Sequence, residues 1–236
     1  MKILKFLKSE IKVKTDWSDL TLLEFEFLAD PPPELELPEV YANAVLQLIV
    51  FCHLTFDQIA EMKVTDVQSL LELVTPHLAF ISTEPKVEPV AKFSLLLDWE
   101  NTGLAYVKHF SMADDYANEP FGKYLQTCKF ENDYAEASKE GYTFALRCSR
   151  LATVTNEVRP NTLFENIKGK KDKEIYSTQN IPIFSKAFMH LPVDTFLSAE
   201  AFFLQQYNGF KKDMLQSLIA LKEEEIQKKR LQKHMA

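Results

Sequence analysis

The sequence contains very little glycine. Only 5 of its 236 residues are glycine, which is about 2%, against roughly 7% in an average protein. Glycine lets a backbone approach a phosphate closely and adopt positive φ angles. We therefore exclude glycine-dependent phosphate-binding loops and dinucleotide folds, and we disfavour propellers, sandwiches and barrels with many tight turns.

Cysteines and long apolar runs are also scarce. The cysteines are odd in number and form no CxxC motif: Cys52, Cys128 and Cys148. We expect reduced, mostly buried thiols in a cytosolic protein and no disulfide framework. The longest apolar stretch, residues 44–54, contains Gln47 and His53 and is too short to span a bilayer. Lysines interrupt the apolar residues of the first 14 positions, so we expect no signal peptide.

The charge is negative overall and unevenly distributed. A net charge of −7 argues against binding nucleic acid or anionic membranes through the whole surface. Residues 1–14 hold five lysines and one acid, residues 15–40 hold eight acids and no base, and residues 211–236 hold seven bases and four acids. This arrangement suits head-to-tail or ring contacts between copies of the chain, but a solvated surface is the commoner explanation.

Helical patterns dominate the first part of the chain. Residues 3–14 predict a short strand because apolar residues alternate with lysines. Three Thr-x-x-Glu/Gln spacings predict capping boxes, at Thr21 and Glu24, Thr55 and Gln58, and Thr65 and Gln68. Apolar residues at helical spacing predict helices over residues 39–53 and 67–78. The prolines at 31–33 end the first helix and begin an extended spacer up to Pro38.

The second part predicts one strand and more helices. Residues 93–97 predict a strand that pairs with the N-terminal segment. We expect helices over residues 101–112 and 134–155, a short helix capped by Asn161 or Thr162 that ends at Lys168, and surface loops over 113–133 and 169–180. The last helix is predicted to begin near Asp194, with Gly209 as a candidate interruption.

These elements predict a mainly α fold. We expect a compact helical bundle with a small two-stranded β element and a long C-terminal helix. Its predicted units are residues 1–84, helical with a short leading strand, and residues 85–236, helical and ending in an extended arm. The arm is interpreted either as a solvated helix end or as an amphipathic partner-binding helix. The candidate partner-binding residues are Phe202, Phe203, Tyr207, Phe210, Met214, Ile226 and Leu231.

No catalytic, cofactor or metal motif is evident in the sequence. Cys52 and His53 are neighbours and point to different sides of a helix, so they do not bind one ion together. No nucleophile elbow is present. We therefore expect no enzyme, no cofactor and no metal. One alternative is an enzyme whose site uses scattered groups such as His109, Asp114 and Asp115.

The order of several landmarks resembles a family of phage proteins. Trp17, Leu20 and Thr21 open a W-x-x-L-T-x-x-x-aromatic pattern that ends at Phe25. Further similar segments follow in the same order, at residues 59–62, 64–67, 78–81, 98–102 with Tyr106, and 196–203. This order is similar to that of small helical proteins encoded among the head–tail and tail genes of tailed phages, notably crAss-like phages of gut Bacteroidetes.

The resemblance implies a non-enzymatic phage structural or assembly protein. It would be a minor virion or tail component, or a tail assembly chaperone, located in the virion or in the host cytoplasm during assembly. Its implied partners are other phage proteins, with a homo-oligomer as a further expectation and no membrane span. The remaining alternative is a phage protein that contacts nucleic acid through the N-terminal lysines or the C-terminal tail.

Overall fold

The computed structural model describes residues 1–6, 9–29, 39–98, 105–113, 121–137, 144–160 and 172–234. Within these ranges the chain combines helices with β-sheet, so the expectation of a mainly α bundle is wrong. The strands are β1 (Lys2–Phe6), β2 (Ser9–Val13), β3 (Lys92–Asp98), β4 (Ala105–Met112), β5 (Thr155–Arg159) and β6 (Lys173–Ile175). The α-helices are α1 (Leu22–Ala29), α2 (Glu39–Cys52), α3 (Phe56–Ala60), α4 (Val64–Val74), α5 (Phe121–Ala137), α6 (Phe144–Val154), α7 (Ile181–Phe188) and α8 (Val193–His234).

The N-terminal segment is a hairpin instead of one short strand. β1 and β2 pair antiparallel, with Leu4 opposite Ile11. Leu4, Ile11 and Val13 are buried, and the lysines alternate with them. The Lys14 N–H donates to the Phe51 carbonyl at 3.0 Å, which joins the end of β2 to the last turn of α2. The alternation therefore predicted strand structure correctly, but it did not reveal that the segment forms two paired strands.

Two of the three predicted capping boxes are confirmed. The Glu24 N–H donates to Thr21 Oγ1 at 3.3 Å, and the Thr21 N–H donates to Glu24 Oε2 at 3.0 Å. Thr55 and Gln58 make the same reciprocal pair, at 3.2 and 2.8 Å. These bonds satisfy backbone donors that the first turn of a helix leaves unpaired.

The third predicted box is wrong. Helix α4 begins at Val64, and Lys63 is its N-cap residue, without a side-chain hydrogen bond. Thr65 lies inside the first turn, and its carbonyl accepts from Ser69 Oγ at 2.9 Å.

The predicted helix over residues 39–53 is confirmed as α2.

The second sheet has four antiparallel strands in the order β3-β4-β5-β6. The strand predicted at 93–97 is confirmed as β3, but its predicted pairing with the N-terminal segment is wrong, because β3 pairs with β4. The helix predicted over 101–112 is also wrong, since β4 occupies Ala105–Met112. Aromatic and β-branched residues favour a strand there, and β3 supplies a seven-residue partner.

Helix α5 replaces much of the loop predicted over 113–133. Its inward side is polar, with Lys123 1% and Thr127 0% exposed, so the apolar stripe that indicates a helix is missing. Thr127 Oγ1 lies 3.0 Å from Thr153 Oγ1 on α6. The helix predicted over 134–155 is confirmed over 134–137, the end of α5, and over Phe144–Val154, which is α6, whereas Thr155 begins β5 and residues 138–143 lie outside the described part.

The remaining differences concern the C-terminal part. The loop predicted over 169–180 contains β6, and α7 was not predicted. Helix α8 begins at Val193, one residue before the predicted Asp194, and continues through Gly209 without interruption. The predicted spacer up to Pro38 and the helix starting at Asn161 or Thr162 lie outside the described residues. No described helix is both long and apolar enough to cross a membrane.

One hydrophobic core joins the two parts of the chain. The Phe93 ring stacks on Phe110 at 5.3 Å, and Phe110 meets Phe188 of α7 edge-on at 5.1 Å. The Leu22 N–H donates to the Leu191 carbonyl at 3.0 Å, next to the start of α8. The boundary at residue 84 stays a prediction.

Candidate functional site

A buried charged cluster lies between α6 and α8. Arg147 and Arg150 are three residues apart on α6, a spacing that places them on one helix face. Arg147 Nε donates to Glu200 Oε1 at 2.8 Å, and Arg150 Nη2 donates to the same oxygen at 2.6 Å. Arg147 Nη2 also donates to Glu200 Oε2. Both carboxylate oxygens therefore accept hydrogen bonds that hold α8 against α6.

Aromatic rings cover the two arginines. The Arg147 guanidinium carbon lies 5.2 Å from the centre of the Phe144 ring and 5.3 Å from that of Phe196. The Arg150 guanidinium carbon lies 5.5 Å from the Phe203 ring centre. A cation over an aromatic face is stabilised by the electron-rich face of the ring. The cluster is therefore part of the aromatic core, and its geometry is that of a structural contact that holds α6 and α8 together.

A second polar network joins α5 to the sheet. Lys123 Nζ donates to Asn156 Oδ1 at 3.1 Å, and Asn156 Nδ2 donates to Glu174 Oε2 at 3.2 Å. The Lys123 ammonium also lies 4.9 Å from the centre of the Tyr176 ring. The Ser111 hydroxyl is buried opposite Asn156 in the β4–β5 register and makes no hydrogen bond to a described group. The polar face of α5 is therefore matched by polar residues of β5 and β6.

The N-terminal part contains a cleft with a volume of about 750 Å³. It lies between the hairpin, the start of α1 and the end of α2. Lys14, whose side chain is 3% exposed, forms an ion pair with Glu24, and the Met1 ammonium forms one with Asp19. His53 follows α2 with a φ of 54°, the left-handed conformation that often ends a helix. Two ion pairs therefore form part of the lining of this cleft.

The ion pairs shift the acidity of the groups in the cleft. Burial alone raises the pKa of Glu24, but hydrogen bonds from Lys14 and Thr21 and the Lys14 charge outweigh it and hold that pKa below 4.5. Partial desolvation, together with the charges of Lys14 and Lys12, lowers the pKa of His53 below 6.5, against the opposing effect of Glu24. Burial raises the pKa of the Cys52 thiol to about 11. This thiol therefore stays protonated at neutral pH, as expected for a buried cysteine.

The structure places the predicted partner-binding residues in three settings. Phe203 and Tyr207 are each 2% exposed inside the core of this chain, with their rings stacked at 5.3 Å. Phe202 and Phe210 are partly buried and pack against that core. The side chains of the other predicted residues, Met214, Ile226 and Leu231, lie outside the described part of the structure. Partner binding through this set stays a prediction.

Of the scattered groups considered for an enzyme, the structure describes His109. His109 Nδ1 lies 2.7 Å from Ser94 Oγ on the neighbouring strand. Asp114 and Asp115 lie outside the described residues. Among the residues described, no group of three or more His, Cys, Asp or Glu side chains is arranged to hold a metal ion.

Sequence reasoning missed the Arg–Glu–Arg cluster and the Lys123 network. The Arg-x-x-Arg spacing at 147 and 150 was visible, but Glu200 is 50 and 53 residues further along the chain. A buried lysine such as Lys123 is rare, and its partner Asn156 is 33 residues away. The only local sequence signal for these two clusters was a charged residue on a helix face that otherwise points toward the core.

Comparison of the chain with models of known protein families, with curated proteins and with solved structures gave no match. We therefore infer a function from the geometry of the chain and from the sequence resemblance described above.

Proposed function

We propose that this chain is a non-enzymatic structural or assembly protein of a tailed phage that acts through protein–protein contacts. The phage assignment is based on the order of sequence landmarks from Trp17 to Phe203. The proposed mode of action is based on one structural observation, the length of α8 relative to the rest of the chain.

The length of helix α8 exceeds the diameter expected for a compact protein of this mass. Its 42 residues span about 63 Å at 1.5 Å per residue. A compact sphere of 236 residues has a diameter of about 45 Å, from the usual scaling of the radius of gyration. A helix of this length therefore extends past the body that holds its first part.

The first part of α8 is anchored in the core, and the second part continues beyond it. Phe196 and Ala199 are fully buried, and Phe203 is 2% exposed. Lys211 and Lys212 are exposed, and the helix continues to His234, about 36 Å beyond Phe210 at the α-helical rise. A helix that leaves its own core is well placed to enter a groove on another protein.

The proposed partners are other virion or assembly proteins of the same phage. A minor virion or tail component would remain in the particle, whereas a tail assembly chaperone would leave before completion. The corresponding locations are the virion and the host cytoplasm during assembly.

The test is quantitative mass spectrometry of purified particles and of cells that are producing them. A retained component appears in particles at a fixed copy number. A chaperone is missing from particles but co-purifies from cells with a defined virion protein, and truncation after Leu221 abolishes that association. Absence from particles, combined with no association with any virion protein, would contradict the proposal.

A nucleic-acid-contacting phage protein is the alternative, and the hairpin favours it. Lys2, Lys5 and Lys12 are exposed on β1 and β2. Contacts with phosphates release counterions, so such binding weakens steeply with salt. Binding to single- or double-stranded DNA that falls steeply between low and physiological salt, and that is lost in a Lys2→Gln/Lys5→Gln/Lys12→Gln variant, would support this alternative.

A further inference from the structure

The N-terminal cleft contains a buried ammonium group whose hydrogen-bonding capacity is only partly used. Lys14 has three N–H donors on its side chain, and that side chain is 3% exposed. Within the described part of the chain, the acceptor of this ammonium is Glu24 Oε2. Two of its donors therefore lack a described acceptor. Unpaired donors on a buried charge cost free energy, so this ammonium favours an additional acceptor.

The carboxylate of Glu24 is used on one side. Its Oε2 atom accepts from Lys14 Nζ, from the Thr21 N–H at 3.0 Å and from Thr21 Oγ1 at 2.9 Å. None of these bonds, which are those made by described groups, uses Oε1. An ionised carboxylate can accept about four hydrogen bonds through its two oxygens. Because the Glu24 side chain is 28% exposed and lines the cleft, it can accept a further bond next to the Lys14 donors.

The cleft has the size and lining of a small-molecule site. Its volume of about 750 Å³ lies within the usual range of roughly 300–1,000 Å³. Lys14 lines it although this residue is almost fully buried, and so forms part of its floor. Ile11 and Leu54 add apolar surface, and Lys12 and His53 are exposed parts of the lining. Apolar surface with a few polar groups is typical of ligand-binding clefts.

The charges around His53 favour an anion. Partial desolvation is the largest cause of its lowered pKa, and the charge of Lys14 is the next. Glu24 opposes this with a smaller effect than Lys14, and Lys12 adds to the lowering. The charged groups therefore sum to a positive potential at this ring. The charged groups that line the cleft with His53 are Glu10, Lys12 and Lys14 of the hairpin, Asp19, Glu24 and the Met1 ammonium.

We propose that this cleft binds a carboxylate ligand that carries a hydrogen-bond donor on its α-carbon. The ligand carboxylate accepts from the remaining donors of Lys14, and the α-donor, an amine or an amide N–H, bonds to Glu24. An apolar substituent on the same carbon packs on Ile11 and Leu54. Two sources have this chemistry: a free amino acid with an apolar side chain, and the last residue of a peptide. The inference is independent of the proposed phage function.

The lining selects this class of ligand over other ions. A phosphate group carries about two negative charges at neutral pH, and it would lie near the acidic side chains of Glu10, Asp19 and Glu24. A metal or organic cation would meet the ammonium of Lys14. A single carboxylate next to a donor matches both the donors of Lys14 and the acceptor of Glu24.

Isothermal titration calorimetry of the full chain with N-acetylleucine tests the site. This probe has the carboxylate, the α-amide N–H and an apolar side chain of a peptide's last residue. We expect a Kd of about 1 mM or lower, as for other good ligands of this size. N-acetylleucine amide lacks the carboxylate and should bind at least about tenfold more weakly. 4-Methylpentanoate lacks the α-donor and should bind about fivefold more weakly.

Free leucine distinguishes the two sources, since it has an ammonium group in place of the amide. Tighter binding of leucine than of N-acetylleucine would support the proposal with a free amino acid as the ligand, and the reverse order would support it with a chain end. No saturable binding of either compound at about ten times the expected Kd would overturn the proposal. Binding of the amide as tight as that of N-acetylleucine would also overturn it.

Two variants assign the binding to the cleft. Lys14→Met/Glu24→Gln removes both polar partners and should abolish binding of N-acetylleucine. Glu24→Gln should bind N-acetylleucine no more tightly than 4-methylpentanoate, because the amide oxygen stays with Lys14 and Thr21 and the NH₂ group then faces the α-donor. The matched control is Lys92→Met, since Lys92 is exposed on β3 outside the cleft, and its Kd should equal that of wild type. Wild-type affinity in the double variant, folded by circular dichroism, would overturn the proposal.

The wild-type chain provides a test that does not depend on the folding of a variant. A carboxylate bound close to His53 adds negative charge and should raise the pKa of that ring, so binding should take up protons. The Kd of N-acetylleucine should therefore fall as the pH is lowered from about 7.5 to about 5.5, on either side of the ordinary histidine pKa. NMR titration of the His53 ring, with and without saturating N-acetylleucine, measures the shift. An unchanged pKa in the saturated protein would overturn binding in this cleft.

Discussion

Two groups of buried charges in the protein differ in exposure and in the number of partners. In the N-terminal part, Lys14 pairs with Glu24, whose side chain is 28% exposed at the edge of a cleft. In the C-terminal part, Glu200 is 7% exposed and accepts bonds from both Arg147 and Arg150. Losing Glu24 therefore leaves one buried ammonium without its carboxylate, whereas losing Glu200 leaves two buried guanidinium groups.

The comparison indicates how each part of the chain is held together. The Lys14–Glu24 pair joins two neighbouring elements, because only ten residues separate the partners. The Glu200 cluster joins two helices across 50 residues or more and lies within the aromatic core. Losing one partner of a buried cluster leaves an uncompensated charge in a place that water does not reach. We expect the two clusters to respond to the same kind of substitution with different magnitudes.

The largest expected effect is the loss of Glu200. A Glu200→Ala variant leaves two buried guanidinium groups without their shared carboxylate, which should lower the free energy of unfolding by about 3–5 kcal/mol. Urea denaturation followed by circular dichroism measures it. Gln205 lies on the same helix and is exposed, so Gln205→Ala should change stability by less than about 0.5 kcal/mol. If Glu200→Ala lowers the free energy of unfolding by less than about 1 kcal/mol, the cluster is not a main contributor to stability.

A smaller effect is expected for Glu24. A Glu24→Gln variant keeps an oxygen that can accept from Lys14 and Thr21 but removes the charge, so we expect a loss of about 1–2 kcal/mol. The control is the double variant Lys14→Met/Glu24→Gln, which removes both charges. Its free energy of unfolding should be closer to that of wild type than the value for Glu24→Gln, in which Lys14 keeps its charge beside a neutral partner. Thermal and urea unfolding of the three proteins form the measurement. A double variant much less stable than Glu24→Gln would contradict this account.

The pH dependence of stability tests the charged groups of the N-terminal cleft. The pKa values of Glu24 and Asp19 lie below 4.5 and 3.8, their ordinary values. Their contribution to stability is therefore present above those values and is lost as the pH falls through the lowered pKa values. The pKa of His53 lies below 6.5, so the neutral ring is favoured in the folded chain. Stability should begin to fall as the pH drops below about 6.5.

Two variants assign these pH ranges. Glu24→Gln should weaken the loss below pH 4.5, the ordinary value for that carboxyl. His53→Asn should remove the earlier loss, because asparagine tolerates the left-handed backbone and does not titrate. The effect at His53 should be small, since the residue is exposed. Stability measured by urea unfolding across the pH range tests this assignment, and an unchanged profile in both variants would contradict it.

The features that were predictable from the sequence are local ones. The Thr21–Glu24 and Thr55–Gln58 boxes depend on residues three apart, and both are present. Helix α2 was recognisable because buried Leu48 and Cys52 follow the helical period. These signals are contained within one or two turns of the chain.

The sheet and the buried charges were not predictable in the same way. Whether residues 105–112 form a strand depends on the partners that β3 and β5 provide, because strand propensity varies strongly with context. Helix α5 has a polar inner face at Lys123 and Thr127. The polarity of this face is explained only by its hydrogen-bond partners, Asn156 and Thr153. The Glu200 cluster likewise requires knowledge of which helices touch. Such contacts are long-range and leave little trace in a local pattern.

The smallest expected effect on stability concerns the end of α8. The core contacts of α8 include Tyr207 and partly buried Phe210, and Lys211 and Lys212 are already exposed. Deleting residues 222–236 should therefore change the free energy of unfolding by less than about 0.5 kcal/mol, as expected for surface positions. The same deletion should abolish association with the virion or assembly partner proposed above. Differential scanning calorimetry and a binding measurement on the same preparation test both expectations. A large drop in melting temperature would show that this segment belongs to the core, and unchanged stability with unchanged partner binding would remove α8 as the contact element.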